Sequence, residues 1–95
     1  MITPEQNNTI LSTLMPYHPL RVGIFGSFAR NENTIDSDLD ILVQFKQTIN
    51  LLDLIGLEME LSEQLGIKVD LVTEKALHPD VKKYIEKDIQ FILNG

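Results

Sequence analysis

Hydrophobic positions recur along the chain at two spacings, one typical of helices and one typical of strands. Apolar residues three to four positions apart predict amphipathic helices, and alternation predicts strands. The helical spacing occurs in three places: residues 4–15, residues 51–65 and the segment that begins at Pro79. Thr3 and Gln6 have the spacing of a capping box, and Asn50 is placed to cap the second helix.

Strand patterns occupy three shorter segments between these helices. They cover residues 20–25, 39–45 and 67–72. The second pattern is the clearest, because Ile41, Val43 and Phe45 point to one face while Asp40 and its alternate neighbours point to the other.

The remaining segments connect or end this pattern. Ser27 is predicted to begin a short helix, and a polar, turn-rich loop over residues 31–37 follows it. Residues 89–95, IQFILNG, fit either the end of a helix or an edge strand. The order of elements predicts an α/β domain in which helices cover one face of a small sheet. Because no repeat or linker is visible, we expect one domain over residues 1–95.

The second predicted helix has more apolar residues than one buried face requires. Its main stripe is predicted to consist of Leu51, Leu54, Ile55, Leu61 and Leu65. Leu52, Leu57 and Met59 lie off that stripe and indicate a second apolar patch that faces a partner.

Composition and charge restrict the class of protein. The 95 residues suffice for one hydrophobic core and include no cysteine, which excludes disulfides, thiol catalysis and cysteine-ligated zinc. The sequence shows no secretory signal and no apolar run long enough for a bilayer, so we expect a cytoplasmic protein. The net charge of −6, from 14 acidic and 8 basic residues, argues against stable DNA or RNA binding. It suits a metal ion or a basic protein partner.

Candidate chemistry is concentrated in GIFGSFARNENTIDSDLDILVQF, residues 23–45. Asp38 and Asp40 are two positions apart at the start of a strand, so their side chains leave from the same face. Asp70 interrupts a later apolar strand, and the three carboxylates meet if that strand neighbours the second one. Such a cluster repels itself unless a cation neutralises it. Oxygen-only ligands favour Mg²⁺, and two such ions are typical of phosphoryl displacement.

Gly26 and Ser27 provide a turn for the matching anion. A glycine turn that opens a helix presents free backbone N–H groups, and the helix dipole adds to their attraction for a phosphate. The Ser27 hydroxyl adds a donor, and Arg30 adds a positive charge one helical turn further on.

Each of these residues also has an ordinary explanation when it is taken alone. Asp38 fits an Asx turn, Gly26 fits a common turn, and Asp70 fits an exposed edge position or an ion pair with Lys68. The combination is more specific than its parts.

The sequence GSFARNENTIDSDLDILV resembles the signature of the DNA polymerase beta-like nucleotidyltransferase superfamily. The shared pattern is Gly-Ser, a gap of about ten residues, Asp-x-Asp and a distant third Asp, and the resemblance covers roughly residues 20–92. The short length is similar to that of the minimal nucleotidyltransferases. These are often encoded beside a HEPN-domain protein as the antitoxin of a toxin–antitoxin pair. The resemblance implies the polymerase beta-like fold, with a mixed sheet and the site on one face.

The resemblance also implies roles for the site residues. Asp38 and Asp40 would bind the magnesium of the nucleotide, and Asp70 would complete the metal site and help to activate the acceptor hydroxyl. Gly26 and Ser27 would position the triphosphate of ATP.

One position departs from the family pattern. Asn31 stands where the family commonly has Gly after the arginine, here Arg30. Because Asn tolerates the left-handed backbone conformation, we expect the turn to be retained and the protein to be an active enzyme.

For the antitoxin group, the implied reaction transfers AMP from ATP to a tyrosine of the HEPN toxin, an RNase, and releases pyrophosphate. Two alternatives stay open: an antitoxin that neutralises its partner by binding alone, and an adenylyltransferase of small molecules. The edge-strand candidate at residues 89–93 also makes a homo- or hetero-oligomer a reasonable expectation.

Overall fold

The computed structural model describes residues 2–94, and within this range the chain forms a four-stranded sheet and three α-helices. The helices are α1 (Pro4–Leu14), α2 (Leu51–Leu65) and α3 (Pro79–Glu86). The strands are β1 (Pro19–Phe25), β2 (Leu39–Phe45), β3 (Val69–Thr73) and β4 (Gln90–Asn94). Single 3₁₀ turns at Met15–Tyr17 and Glu74–Ala76 follow α1 and β3. No helix in the described part of the chain is long and apolar enough to cross a membrane.

The sheet is mixed, with the strand order β3-β2-β1-β4. β1 is antiparallel to both β2 and β4, whereas β2 and β3 are parallel because α2 carries the chain back between them. The small mixed sheet predicted from the sequence is therefore confirmed. Residues 90–94 of the ambiguous tail form a strand, β4, which pairs with β1 at one edge of the sheet, and Gly95 lies outside the described residues.

Local sequence signals set the helix ends, as predicted. The Thr3 hydroxyl accepts from the Gln6 N–H at 3.1 Å, and the Gln6 side chain accepts from the Thr3 N–H at 2.9 Å, which completes the capping box. Asn50 caps α2 by accepting from the Asp53 N–H at 2.8 Å. Gly66 ends α2 in the left-handed conformation, with φ of 67°, which glycine adopts without a steric penalty.

The hydrophobic core lies between one face of the sheet and the two helices α1 and α2. Its fully buried side chains come from α1, β1, β2 and α2: Ile10, Leu14, Val22, Leu39, Ile41, Val43 and Leu61. Burial of each such side chain contributes roughly 2 kcal/mol, so this layer fixes the position of the β2 backbone.

The buried face of α2 differs from the predicted stripe. Leu57, which was placed off the stripe, is 5% exposed and belongs to the core. Leu51 and Ile55, which were placed on it, are 69% and 43% exposed. The sequence of α2 carries two overlapping apolar stripes, and the position of the sheet selects one of them. The exposed apolar residues of α2 are Leu51, Leu52, Ile55 and Met59.

The short helix predicted from Ser27 is also wrong. Residues 26–31 form a hydrogen-bonded turn, in which the Arg30 N–H donates to the Gly26 carbonyl at 3.1 Å. The Glu32 N–H then donates to the Ser27 carbonyl at 2.9 Å, a five-residue span that does not continue a helix. Asn31 has φ of 59°, and this left-handed residue ends the turn after a single revolution.

The second face of the sheet is covered at its centre. Leu42 alternates with the core residues of β2 and so points to this face, yet it is 4% exposed. Ile89, which follows α3, packs over Gly23 of β1, where a Cβ atom would come within 2.6 Å of the Ile89 side chain. Toward the N-terminal ends of β2 and β3 the same face carries polar residues and reaches solvent.

Candidate active site

The parallel register of β2 and β3 places two of the predicted carboxylates side by side. Asp40 pairs with Asp70, while Leu39 pairs with Val69 and points to the core. Because side chains alternate along a strand, Asp40 and Asp70 share the second face of the sheet. Asp40 is half-buried and Asp70 is exposed.

Asp38 lies just before β2, two positions from Asp40, and is exposed. Its carboxylate is 3.9 Å from the Nζ atom of Lys68, which is itself largely solvent-exposed. The ion-pair alternative considered for Asp70 is therefore wrong, because Lys68 lies with Asp38. Exposed pairs of this kind contribute little to stability, so Asp38 is free to act as a ligand.

The environment of Asp40 disfavours its negative charge. Burial raises the pKa of Asp40 above its ordinary value, and the negative charges of Asp70 and Asp38 raise it further. The positive charge of Arg30 acts in the opposite direction and lowers the pKa of Asp40. A divalent cation between the carboxylates would remove this repulsion.

Gly26 packs directly against the Asp40 carboxylate. It has φ of 73°, and a Cβ atom at this position would overlap the Asp40 side chain. The left-handed conformation favours glycine, and the close approach to Asp40 requires it. The N–H groups of Ser27, Phe28 and Ala29 donate to no acceptor within residues 2–94, so the turn offers free donors beside the Asp40 carboxylate.

Arg30 and Asn31 complete the turn. The Arg30 guanidinium is 3.4 Å from the Glu32 carboxylate and 3.7 Å from that of Asp88, the residue that precedes Ile89. Asn31 adopts the left-handed conformation expected of the family glycine. The prediction that the turn is retained is thus confirmed. The contact with Asp88 was not predicted, because no local pattern relates residues so distant in the chain.

Two side chains of α2 hold the strand that carries Asp70. β3 is the edge strand opposite β4, and α2 supplies acceptors for two of its N–H groups. The Val69 N–H donates to the Ser62 hydroxyl at 2.9 Å, and the Leu71 N–H donates to the Glu58 carboxylate at 2.8 Å. These bonds flank Asp70 on both sides. The sequence gives no signal for them except two polar residues four positions apart on a helix.

Although β3 neighbours β2, the predicted meeting of three carboxylates does not produce a closed metal site within residues 2–94. Among residues 2–94, no three acidic or histidine side chains converge as a metal cluster does. The donor set nevertheless fits Mg²⁺, because this ion usually keeps several waters and is bound by one or two carboxylates together with substrate phosphates. Asp38, Asp40 and Asp70 are the residues that would hold it.

This arrangement of a glycine turn beside paired carboxylates agrees with a known family. The model of the nucleotidyltransferase domain family matches residues 5–92. The chain belongs to this family. The predicted superfamily and the predicted enzyme class, a nucleotidyltransferase, are confirmed.

Two relatives of the chain carry the name of a more specific activity. The chain is 52% identical over 77 residues to a candidate protein adenylyltransferase of Methanocaldococcus jannaschii, a match that covers 80% of this chain and 79% of the relative. It is 39% identical over 71 residues to the protein adenylyltransferase MntA of Thermococcus cleftensis, covering 75% of this chain and 72% of MntA.

Solved structures share the fold. A chain in the crystal structure of a toxin–antitoxin with AMP-PNP has a TM-score of 0.86 at 21% identity, covering 94% of this chain and 73% of that chain. A chain in the structure of tri-AMPylated Shewanella oneidensis HEPN toxin with MNT antitoxin has a TM-score of 0.79 at 19% identity, covering 96% and 71%. At these identities the likeness shows the fold alone, and it confirms the predicted minimal nucleotidyltransferase fold.

Proposed function

We propose that this nucleotidyltransferase is the antitoxin of a toxin–antitoxin pair and transfers AMP from ATP to a tyrosine hydroxyl of a HEPN-domain toxin. One observation carries the proposal: Asp40 and Asp70 lie side by side on parallel strands, and the Gly26 turn packs against the Asp40 carboxylate. In this proposal the turn binds the triphosphate, and the adjacent aspartates bind its metal ions. Positioning and charge neutralisation at such a site are what phosphoryl transfer requires.

The described residues divide the work of binding the nucleotide. Asp38 and Asp40 hold the magnesium of MgATP, and two Mg²⁺ ions are expected by the chemistry of the site. The free N–H groups of the 26–31 turn and the Ser27 hydroxyl bind the phosphates. Arg30 supplies a positive charge beside them, and its two carboxylate neighbours hold its guanidinium in place. Mg²⁺ held by these aspartates would supply the charge neutralisation that displacement of pyrophosphate requires.

In the proposed reaction, Asp70 acts on the acceptor hydroxyl. It is the exposed member of the pair, so an incoming hydroxyl can reach it. The Asp70 carboxylate accepts the proton of the tyrosine hydroxyl. The phenolic oxygen then bonds to the α-phosphorus while the bond from that phosphorus to pyrophosphate breaks.

The relatives support the choice of a protein as the acceptor. Two of them carry the name protein adenylyltransferase, and one structural neighbour is a complex of a tri-AMPylated HEPN toxin with an MNT antitoxin. The exposed apolar residues of α2 also suit a protein that binds a partner. We place the reaction in the cytoplasm, and we expect no stable complex with DNA or RNA at a net charge of −6.

Four variants test the assignment when MgATP binding and AMP transfer to the neighbouring HEPN protein are measured separately. Asp38→Ala and Asp40→Ala should weaken MgATP binding and abolish transfer. Asp70→Asn should retain most of the nucleotide binding while transfer stops. Asp36→Asn, an exposed aspartate of the preceding loop, is the matched control and should leave both unchanged. Transfer that survives in Asp40→Ala and Asp70→Asn would show that the site is misassigned.

The two rival functions predict other results in the same experiment. An antitoxin that acts by binding alone would neutralise the toxin equally well as wild type and as Asp70→Asn. A small-molecule adenylyltransferase would label an added hydroxyl compound and leave the HEPN protein unlabelled.

A further inference from the structure

A cleft of about 440 Å³ lies at the end of the sheet opposite the candidate active site. It is formed by the C-terminal ends of β2 and β3 and by the loop over residues 46–49. Gln44 in its wall is four residues beyond Asp40 on the same strand, which is about 13 Å at the rise of an extended chain. Leu42 lies between them on the second face and is buried, so the cleft is separate from the nucleotide site.

The cleft is positively charged in a protein that is otherwise acidic. Three lysines line it: Lys46, Lys75 and Lys82. Glu74 is the one acidic residue among its lining side chains, and its own side chain is 10% exposed.

The charge of Glu74 is already balanced. Its carboxylate is 2.7 Å from the Lys82 ammonium and 3.2 Å from the Arg21 guanidinium. Lys46 and Lys75 have no acidic partner within residues 2–94. Lys75 donates to the Thr48 hydroxyl at 3.2 Å, which holds its ammonium against the 46–49 loop. The cleft therefore presents two unneutralised ammonium groups, one of them held in place.

Exposed apolar residues follow the cleft-lining Ile49 closely in the chain. Ile49 lines the cleft, and Leu51 and Leu52, at the start of α2, are 69% and 81% exposed. A cationic cleft beside exposed leucines is complementary to a protein surface on which an acidic side chain adjoins an apolar patch. A small free anion would not require the leucines.

We infer that this cleft and the neighbouring leucines form the docking surface for the protein acceptor, and that Lys46 and Lys75 bind an acidic side chain of that acceptor. The inference rests on the proposed function, because that function supplies a protein partner. A second copy of this chain is the weaker candidate, since the net charge of −6 makes two copies repel each other. Docking remote from the reacting atoms would let the antitoxin select its toxin without altering the nucleotide site.

Matched charge reversals test this inference. The cleft variant combines Lys46→Glu with Lys75→Glu and so reverses the charge of two lysines that line the cleft. The control combines Lys83→Glu with Lys87→Glu, which changes the net charge equally at exposed lysines of the α3 region outside the cleft. The readouts are the KM values for ATP and for the HEPN acceptor, and the affinity of the complex without ATP at low and high salt.

The cleft variant should raise the acceptor KM and the dissociation constant roughly tenfold at low salt, and the difference should shrink at high salt. Its KM for ATP should match that of wild type, and the α3 variant should behave as wild type in every readout. Leu52→Ser should weaken the complex by a similar amount at both salt concentrations.

Equal behaviour of the two charge-reversal variants would overturn the inference while leaving the proposed function intact. A rise in the KM for ATP in the cleft variant alone would also overturn it, because the cleft would then belong to the nucleotide site. If wild type forms the complex but transfers no AMP, the proposed function fails. The affinities measured without ATP still decide the role of the cleft in that case.

Discussion

At the scale of single residues, the closest coupling between backbone and chemistry is at Gly26. Its left-handed conformation turns the chain out of β1, and the absence of a side chain lets the turn lie against Asp40. Gly66 has nearly the same φ, yet nothing lies within 4 Å of the position its Cβ would occupy. Alanine at Gly66 therefore tests the cost of the left-handed conformation alone, whereas alanine at Gly26 also places a methyl group against Asp40.

Gly26→Ala and Gly66→Ala should differ in a defined way. Both should lose about 1 kcal/mol of unfolding free energy, because alanine is disfavoured at positive φ. Gly26→Ala should lose more than Gly66→Ala and should lower AMP transfer at least roughly tenfold, since its methyl group displaces the Asp40 carboxylate. Urea unfolding and labelled-ATP transfer measure the two effects. Equal transfer rates in the two variants would contradict the role given to Gly26.

The raised pKa of Asp40 predicts a pH dependence of stability. Because the pKa is higher in the folded state than in the unfolded state, protonation of Asp40 stabilises the fold. This contribution is complete below the unfolded pKa, near about 3.9, and is lost as the pH rises through the folded value. In metal-free buffer, Asp40→Asn should therefore be more stable than wild type at pH 7.

The stability difference between Asp40→Asn and wild type should shrink as the pH falls toward 4. Unfolding in urea with a chelator, repeated across this pH range, measures it. The exposed Asp36→Asn variant is the control, and it should show no such trend. A constant difference between Asp40→Asn and wild type at every pH would contradict the electrostatic description of the site.

At the scale of elements, the docking of α2 onto β3 holds the acceptor side of the site. Glu58 and Ser62 accept hydrogen bonds from the N–H groups on either side of Asp70. A bond to a charged acceptor contributes about 2 kcal/mol when it is partly buried. The position of Asp70 therefore depends on a helix that does not itself reach the nucleotide site.

Glu58→Ala should lose about 2 kcal/mol of unfolding free energy and should lower the transfer rate more than it changes ATP binding. The N–H group of Leu71 is then left without its acceptor, and β3 is less firmly held. Glu60→Ala, an exposed change on the same helix, is the control for charge and helix propensity. Similar stability and similar transfer rates in the two variants would contradict the proposal that Glu58 holds β3 in position.

The same elements show how far sequence patterns reach. The cap residues and the bounds of β2 and α2 were predictable, because their signals lie within a few residues of one another. The buried stripe of α2 was not, since it depends on where the sheet lies relative to the helix. The turn at residues 26–31 was mistaken for a helix because its ending depends on the conformation of Asn31.

For the site, the sequence predicted that Asp40 and Asp70 would lie together only if the third strand neighbours the second, and the structure supplies that adjacency. The supporting contacts could not be expected. Arg30 meets Asp88, and Glu58 meets the backbone of Leu71, only after distant segments have packed together. The roles of the individual site residues stay predictions until the variants are measured.

At the scale of the whole molecule, charge is divided between two ends of the sheet. The three aspartates lie at the N-terminal ends of β2 and β3, whereas Lys46 and Lys75 of the cleft lie just beyond the C-terminal ends. A protein acceptor that contacts both ends would be oriented by them, with its hydroxyl at Asp70 and an acidic group at the cleft. The net charge of −6 is an average over the whole chain, and the cleft is locally positive.

The most direct test of the central claim uses ATP labelled at either the α- or the γ-phosphate. Each is incubated with Mg²⁺, the neighbouring HEPN protein and either wild type or Asp70→Asn. The proposed function predicts label on the HEPN protein only from α-labelled ATP and only with wild type, and pyrophosphate as the second product. Label from γ-labelled ATP, or no label on the HEPN protein although MgATP binds and the complex forms, would contradict it.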